Sequence, residues 1–119
     1  MKDVSILTSN GVNVEESLEL FGDISTYDET VADFLESVDN KLEDIKKYKE
    51  ASDMSNYAIL VHSLKSDCRF LGITKFADQA YEQELKSKEG DIEFINEHYL
   101  ELVISKNKTK EIIKKYLEI

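Results

Sequence analysis

Proline is absent from this chain, and glycine occurs four times in 119 residues. Little in it therefore interrupts a helix, and each glycine marks a turn. Tryptophan is also missing, and Cys68 is the only cysteine, which excludes an internal disulfide. That cysteine falls on an apolar helical stripe, where a buried free thiol fits a reducing compartment. No stretch approaches the ~18 apolar residues needed to cross a bilayer. The N-terminus has no basic segment followed by an apolar run, as a secretory signal would. A cytoplasmic chain that does not enter the membrane is the expectation. Basic residues are outnumbered 15 to 25, leaving a formal charge of −10. That balance argues against nucleic acid and against an anionic membrane surface as partners.

What remains suits a single slim helical domain. The length is enough to bury one core without staples. The apolar fraction, 41%, is low for a globular chain, whereas the charged fraction, 34%, is high. Residues 1–12 show no period and hold the turn pair Asn10-Gly11, so they read as an N-terminal tail or a partly docked arm. Residues 13–119 form the bundle domain. Asn13 can cap a short helix over 14–21, with Leu18 and Phe21 inward and Gly22 at its stop. A longer helix over 27–48 carries Val31, Phe34, Leu35, Val38, Leu42 and Ile45 at helical spacing. Ser52-Asp53 then offers caps for a helix over 54–71, which Gly72 ends. Thr74 can cap the next helix, 75–87, whose inward side takes Phe76, Ala77, Ala80 and Leu85. After Gly90-Asp91 a last helix over 92–117 carries Ile95, Tyr99, Leu102, Val103, Ile113 and Tyr116. Its basic cluster, Lys106, Lys108, Lys110, Lys114 and Lys115, complements the helix dipole. Short loops between these helices predict antiparallel neighbours. The fold class is all-α: an antiparallel up-down four-helix bundle with a short additional N-terminal helix.

The helix over 54–71 holds the chemistry. At about 100° per residue, Tyr57, Leu60, Val61, Leu64, Cys68 and Leu71 gather on one stripe. His62 falls roughly 150° from its centre. One turn away are Ala58 and Ser66, both small, with Lys65 and Arg69 alongside. An exposed imidazole framed by small residues and two cations is a poor core residue and suits an anion or a phosphoryl group. Imidazole is a competent nucleophile near neutral pH and forms a labile phosphoramidate. A cation one turn on stabilises the negative charge it would carry.

His62-x-Leu64-Lys65-Ser66, with Gly72 ten residues after the histidine, resembles the signature of histidine-containing phosphotransfer (HPt) domains of phosphorelays. The helix order from Asn13 to Leu117 is also similar to that of the family. The resemblance implies that His62 is phosphorylated on a ring nitrogen and that Lys65 lies beside the phosphoryl oxygens. It further implies that Ser66 is the small neighbour that leaves room for a partner's active site. Two positions depart from the family pattern. Ser66 replaces the usual glycine, and Asp67 adds negative charge, though on the far flank from Lys65. The function implied is transfer between aspartates of response-regulator receiver domains, fed by a hybrid sensor histidine kinase. The chain would be a monomeric carrier in two-component signal transduction, not an enzyme with its own ATP site. It would need no cofactor, since Mg²⁺ is expected on the partner receiver. Partner docking is assigned to Ser55, Ala58, Ile59, Arg69 and Phe70 on the exposed side of the helix.

A non-transferring HPt-like interaction module that binds a receiver or kinase would show the same pattern. Glu84 on the neighbouring helix can reach His62 and hold its ring, although a glutamate on an acidic helix is more often merely solvated. His98 lacks any comparable context and belongs to a solvated or boundary face. A metal site of His62, Glu84 and His98 lacks the helical Glu-x-x-His pairs of di-iron bundles, and no glycine-rich phosphate loop is present. Ile59 and Phe70 would be docking residues if exposed, or core residues if Val31 and Phe34 cover them.

Overall fold

A computed structural model describes residues 2–119 as six helices: α1 (Ser5–Thr8), α2 (Val14–Phe21), α3 (Ile24–Glu50), α4 (Met54–Phe70), α5 (Thr74–Lys88) and α6 (Ile92–Leu117). No strand occurs among the described residues, only an isolated antiparallel bridge between Val12 and Ile73. Helices α3 to α6 pack in a ring, α3 on α4, α4 on α5, α5 on α6 and α6 back on α3. Their three-residue connections force each helix to run back along its predecessor. The result is the expected all-α up-down bundle, a rod of 45 × 25 × 21 Å. No helix of the described residues is long and apolar enough to cross a membrane.

Each long helix starts where a short acidic side chain can accept a bond from an orphan backbone amide. Asp23 accepts from Thr26 N, Asp53 from Asn56 N and Asp91 from Phe94 N, while Asn13 does the same for α2 through Glu16 N. The first of these starts α3 one turn earlier than apolar periodicity alone predicts. Helix α5 is the exception. Its N-cap is Ile73, which makes no side-chain cap, and Thr74 is already helical, directing its hydroxyl to the carbonyl of Gly11. The expected Thr74 cap is therefore corrected.

The core follows the helical stripes. Val31, Phe34, Val38, Leu42 and Ile45 of α3 meet Tyr57, Val61, Leu64 and Cys68 of α4, Phe76, Ala77 and Ala80 of α5, and Ile95, Leu102, Ile113 and Tyr116 of α6. Leu18, Phe21, Leu35, Leu60 and Val103 are only partly buried at its margin, and Leu85 is exposed, contrary to expectation. The segment over 2–12 is not free. It contains α1, buries Leu7 and Val12 in the core, and packs against α6. Two short N-terminal helices thus precede the bundle where one was expected. The basic cluster near the C-terminus also does more than complement a dipole, because Lys106 and Lys110 both pair with Asp39 and tie α6 to α3. These bonds hold the Asp39 carboxyl below its ordinary range.

Gly72 does two jobs at the α4–α5 corner. Its φ of +78° is the left-handed conformation that ends α4, and its backbone lies directly under the N-terminal arm. Asn13 N donates to Gly72 O at 2.8 Å, and a Cβ at Gly72 would lie 2.4 Å from Asn13 O. Tyr27 closes the same corner by donating to Leu71 O at 2.8 Å. Gly72→Ala is expected to lower stability by at least the roughly 1–3 kcal/mol of a strained left-handed residue. Displacement of the arm adds to this, and urea unfolding with far-ultraviolet circular dichroism measures the total.

Candidate functional site

The wheel position of each α4 residue determines which neighbour it meets. Tyr57, Val61, Leu64 and Cys68 point into the bundle, and burial pushes the Cys68 thiol far up, so it is protonated and inert. Ser63 and Asp67 lie on the α3 flank, where Lys41 Nζ bonds Ser63 Oγ at 2.8 Å and Asp67 Oδ2 at 2.7 Å. The Asp67 charge is thus met by α3 on the side away from Lys65. The opposite flank faces α5 and contains Ala58 and Lys65, both buried. His62 lies between that flank and solvent, with its side chain 56% exposed.

Across from His62 stands Glu84, whose side chain is 3% exposed. His62 Nδ1 and Glu84 Oε2 are 2.8 Å apart. Lys65 Nζ donates to the other carboxylate oxygen, Oε1, at 2.7 Å, and Lys88 Nζ donates to Oε2 at 2.8 Å. Burial alone would push the Glu84 carboxyl up. The bonds from Lys65, Lys88 and His62 outweigh it and hold the group down at about 2. Glu84 is therefore a buried carboxylate whose two oxygens are both occupied, and it organises everything around the imidazole.

The carboxylate also determines where the ring proton sits. An ionised carboxylate can only accept, so the hydrogen bond assigns an N–H to Nδ1, and in the neutral ring the lone pair is then on Nε2. A ring half in water, held at Nδ1 by the carboxylate, has Nε2 as the atom that can act as a nucleophile. It opens into a concavity between α4 and α5 lined by Ser55, Ala58, Ile59, Ser87 and Lys88. Nearby, Tyr81 carries the Lys65 ammonium 5.0 Å and the Arg69 guanidinium 5.2 Å from its ring centroid. These contacts and the Glu84 bond hold Lys65 in place.

Several sequence expectations need adjusting here. Lys65 is beside His62 as expected, but it is buried and bonded to Glu84, not free at the surface. Ala58 is 6% exposed and forms the floor of the concavity, so it is not part of an open docking face. Ser66 is half-buried, whereas Ser55 and Arg69 are exposed. Ile59 is 64% exposed and Phe70 54%, which removes the alternative that α3 covers them. Phe70 instead borders a groove with Phe34 and Phe21. His98 lies at a boundary, stacked on Phe94 with ring centroids 4.1 Å apart, and bonds Glu101 at 3.0 Å.

Sequence reasoning missed Lys88 and Gln83. Lys88 follows Glu84 by four residues, a spacing that pairs opposite charges on one helical face and could have found it. Gln83 had no such signal. It is buried, accepts from the Tyr57 hydroxyl and donates to the backbone carbonyl of His98 at 2.9 Å, linking α4, α5 and α6 behind the site.

Neither a curated protein sequence nor a solved structure gives a significant match to the chain. A family model does: the Hpt domain matches residues 29–109. That span is more than half of the chain and reaches from the second turn of α3 into the last third of α6, with the imidazole and its carboxylate inside it. On this match, the chain belongs to the Hpt domain family.

Proposed function

We propose that this protein is a phosphoryl carrier of a two-component phosphorelay, accepting a phosphoryl group on Nε2 of His62 and passing it on. The observation that carries the reading is the exposed imidazole whose Nδ1 is held at 2.8 Å by the buried carboxylate of Glu84. Membership of the Hpt family supports it, because such domains carry phosphoryl groups and are not themselves catalysts. A receiver domain would supply the phosphorylated aspartate, the acidic pocket and Mg²⁺. No cofactor is assigned to this chain. In the transfer, the Nε2 lone pair attacks phosphorus, the aspartyl O–P bond breaks, and its electron pair stays on the aspartate carboxylate. The Nδ1 proton need not move. The new phosphoimidazolium lies against the Glu84 charge, and Lys88 and Lys65 have the phosphoryl oxygens as alternative acceptors. A buried free Cys68 fits a reducing, cytoplasmic setting.

Incubation with a panel of phosphorylated receiver domains tests the reading. Label that is acid-labile and alkali-stable is expected on this chain. Lys88→Ala is expected to slow the transfer about tenfold, since one of two ammonium groups at the phosphoryl is lost while the nucleophile stays. Stopped-flow or rapid-quench rates at low salt measure this, and an unchanged rate would remove Lys88 from the chemistry.

The docking surface is proposed around the concavity and the exposed apolar pair Ile59 and Phe70, with Ser55 and Arg69 at its edge. Isolated apolar side chains this exposed beside a nucleophile suit a receiver interface. Ile59→Glu is expected to weaken receiver binding at least about tenfold. Its melting temperature should be unchanged, which thermal denaturation and titration calorimetry check together. The rival reading, an interaction module that binds a receiver without transfer, predicts the same binding loss but no label on His62.

A further inference from the structure

We propose that Glu84 keeps the proton on Nδ1 throughout the phosphoryl cycle, so that phospho-His62 persists at neutral pH as the imidazolium, the form that releases its phosphoryl group readily. This rests on the reading of His62 as the phosphorylated residue and concerns the state after transfer.

A phosphoryl group on Nε2 can depart from a ring that is protonated at Nδ1 or from one that is not. From the protonated ring, the Nε2–P bond breaks, its electron pair stays on Nε2, and neutral imidazole leaves. From the unprotonated ring, the leaving group is an imidazolate anion, which is far poorer. The lifetime of phosphohistidine is therefore set by the proton at Nδ1. In solution a histidine ring gains and loses protons near neutral pH, so that lifetime is strongly pH-dependent there.

In this protein Nδ1 is bonded to a carboxylate that is almost wholly out of water. Each charged group around it pushes the proton one way or the other. On α4, Lys65 opposes a positive ring; on α5, Lys88 does so too, and Glu84 favours it. Glu89, in the loop between α5 and α6, lines the same concavity and favours it as well. From α3, Lys41 is already engaged by Asp67 and Ser63 on the far flank. Before phosphorylation the two ammonium groups share Glu84 with the ring, and their charges offset its own.

Arrival of the phosphoryl dianion changes this balance. Lys88 Nζ and His62 Nδ1 bond the same oxygen of Glu84, so the ammonium stands beside the ring, and its side chain is 60% exposed and free to turn. A dianion on Nε2 offers it an acceptor of higher charge. Once Lys88 turns, Oε2 belongs to the ring alone. The carboxylate then stabilises the imidazolium fully, and the proton stays where it was before transfer. Discharge to an acceptor carboxylate forms an O–P bond, breaks N–P, and returns the starting tautomer with no proton moved; with water as acceptor the ring is returned in the same way, and a proton of the attacking water passes to a phosphate oxygen.

The test phosphorylates the whole chain with phosphoramidate, which needs no partner protein, and follows the decay of phospho-His62 from about pH 6 to pH 9 by ³¹P NMR, a range bracketing free imidazole. The native protein is expected to show a nearly flat lifetime up to pH 8. In Glu84→Gln the lifetime is expected to lengthen with rising pH, approaching ~tenfold per pH unit once the ring titrates. Identical pH profiles in the two proteins would overturn the proposal. The ¹⁵N resonance of Nδ1 in the native phosphorylated protein gives the same answer without a variant: a protonated signal retained at pH 8 is expected, and loss of that proton below pH 7 would overturn it. If phosphoramidate places no phosphoryl group on His62 at all, the carrier reading itself fails, and this inference falls with it.

Discussion

His62→Gln is expected to abolish phosphoryl acceptance while leaving the fold intact. Glutamine has no lone pair able to form a phosphoramidate at the Nε2 position, so the loss should be complete. The stability cost should be small, about 1 kcal/mol or less, because the side chain is 56% exposed and the glutamine amide can still donate to the Glu84 carboxylate. Acid-labile label after incubation with phosphorylated receivers, alongside thermal denaturation, checks both halves. Retained label would move the site elsewhere, whereas a large drop in melting temperature would make His62 a structural residue.

Glu84→Ala is expected to be damaging in two independent ways. Without the carboxylate, Nδ1 loses its acceptor, the ring samples the wrong tautomer and rotates freely, and acceptance should fall by about 10²-fold or more. Lys65 simultaneously loses its counter-charge while 11% exposed, which leaves a poorly hydrated cation and should cost on the order of 2–4 kcal/mol. Glu84→Gln should separate these effects, retaining much of the packing and the acceptor but not the charge. The same carboxylate predicts an acid dependence of stability. Its folded value, about 2, lies below its ordinary 4.5, so the unfolded chain binds the proton more readily. Its contribution is fully present above about pH 4.5 and is lost as pH falls towards 2. By linkage that amounts to on the order of 3 kcal/mol. Urea unfolding at pH 6 and pH 3 should show a smaller loss in Glu84→Ala than in the native protein.

The helices were legible in the sequence because the periodic stripes, the Asn and Asp caps and the glycine stops agree with one another. Helices α2 and α6 were predicted at their observed limits, and α4 differs by one residue. The N-terminal arm was less legible. Leu7 has no periodic partners, and its burial depends on a surface formed by distant elements, α6 above all.

At the site, a single-helix wheel placed His62 correctly at the surface, but it could not choose between a Glu84 that reaches the ring and one merely solvated, nor tell which flank of α4 its neighbours cover. Ala58 and Lys65 sit on the side that α5 closes, so both are buried despite lying well off the centre of the apolar stripe. Ile59 and Phe70 lie further round, beyond both α3 and α5, and stay exposed. Leu85 was expected inward from its hydrophobicity, yet the buried positions beside it went to Gln83, Glu84 and Ser87. Those polar residues are inside because each has partners there: Tyr57 and His98 for Gln83, Lys65 for Glu84, and the Glu84 carbonyl for Ser87. Burial of a polar side chain depends on such tertiary partners, and hydrophobic patterning is blind to them.

The central claim is that His62 carries a phosphoryl group received from a receiver aspartate. Its most direct test is to mix the protein with phosphorylated receivers and locate the phosphoryl group on the chain, by ³¹P NMR together with fragmentation mass spectrometry under alkaline conditions. The account predicts a single phosphoramidate, at Nε2 of His62, with the receiver losing its label as the chain gains it. Binding of a receiver with no label on the chain, or label on any residue other than His62, would contradict it.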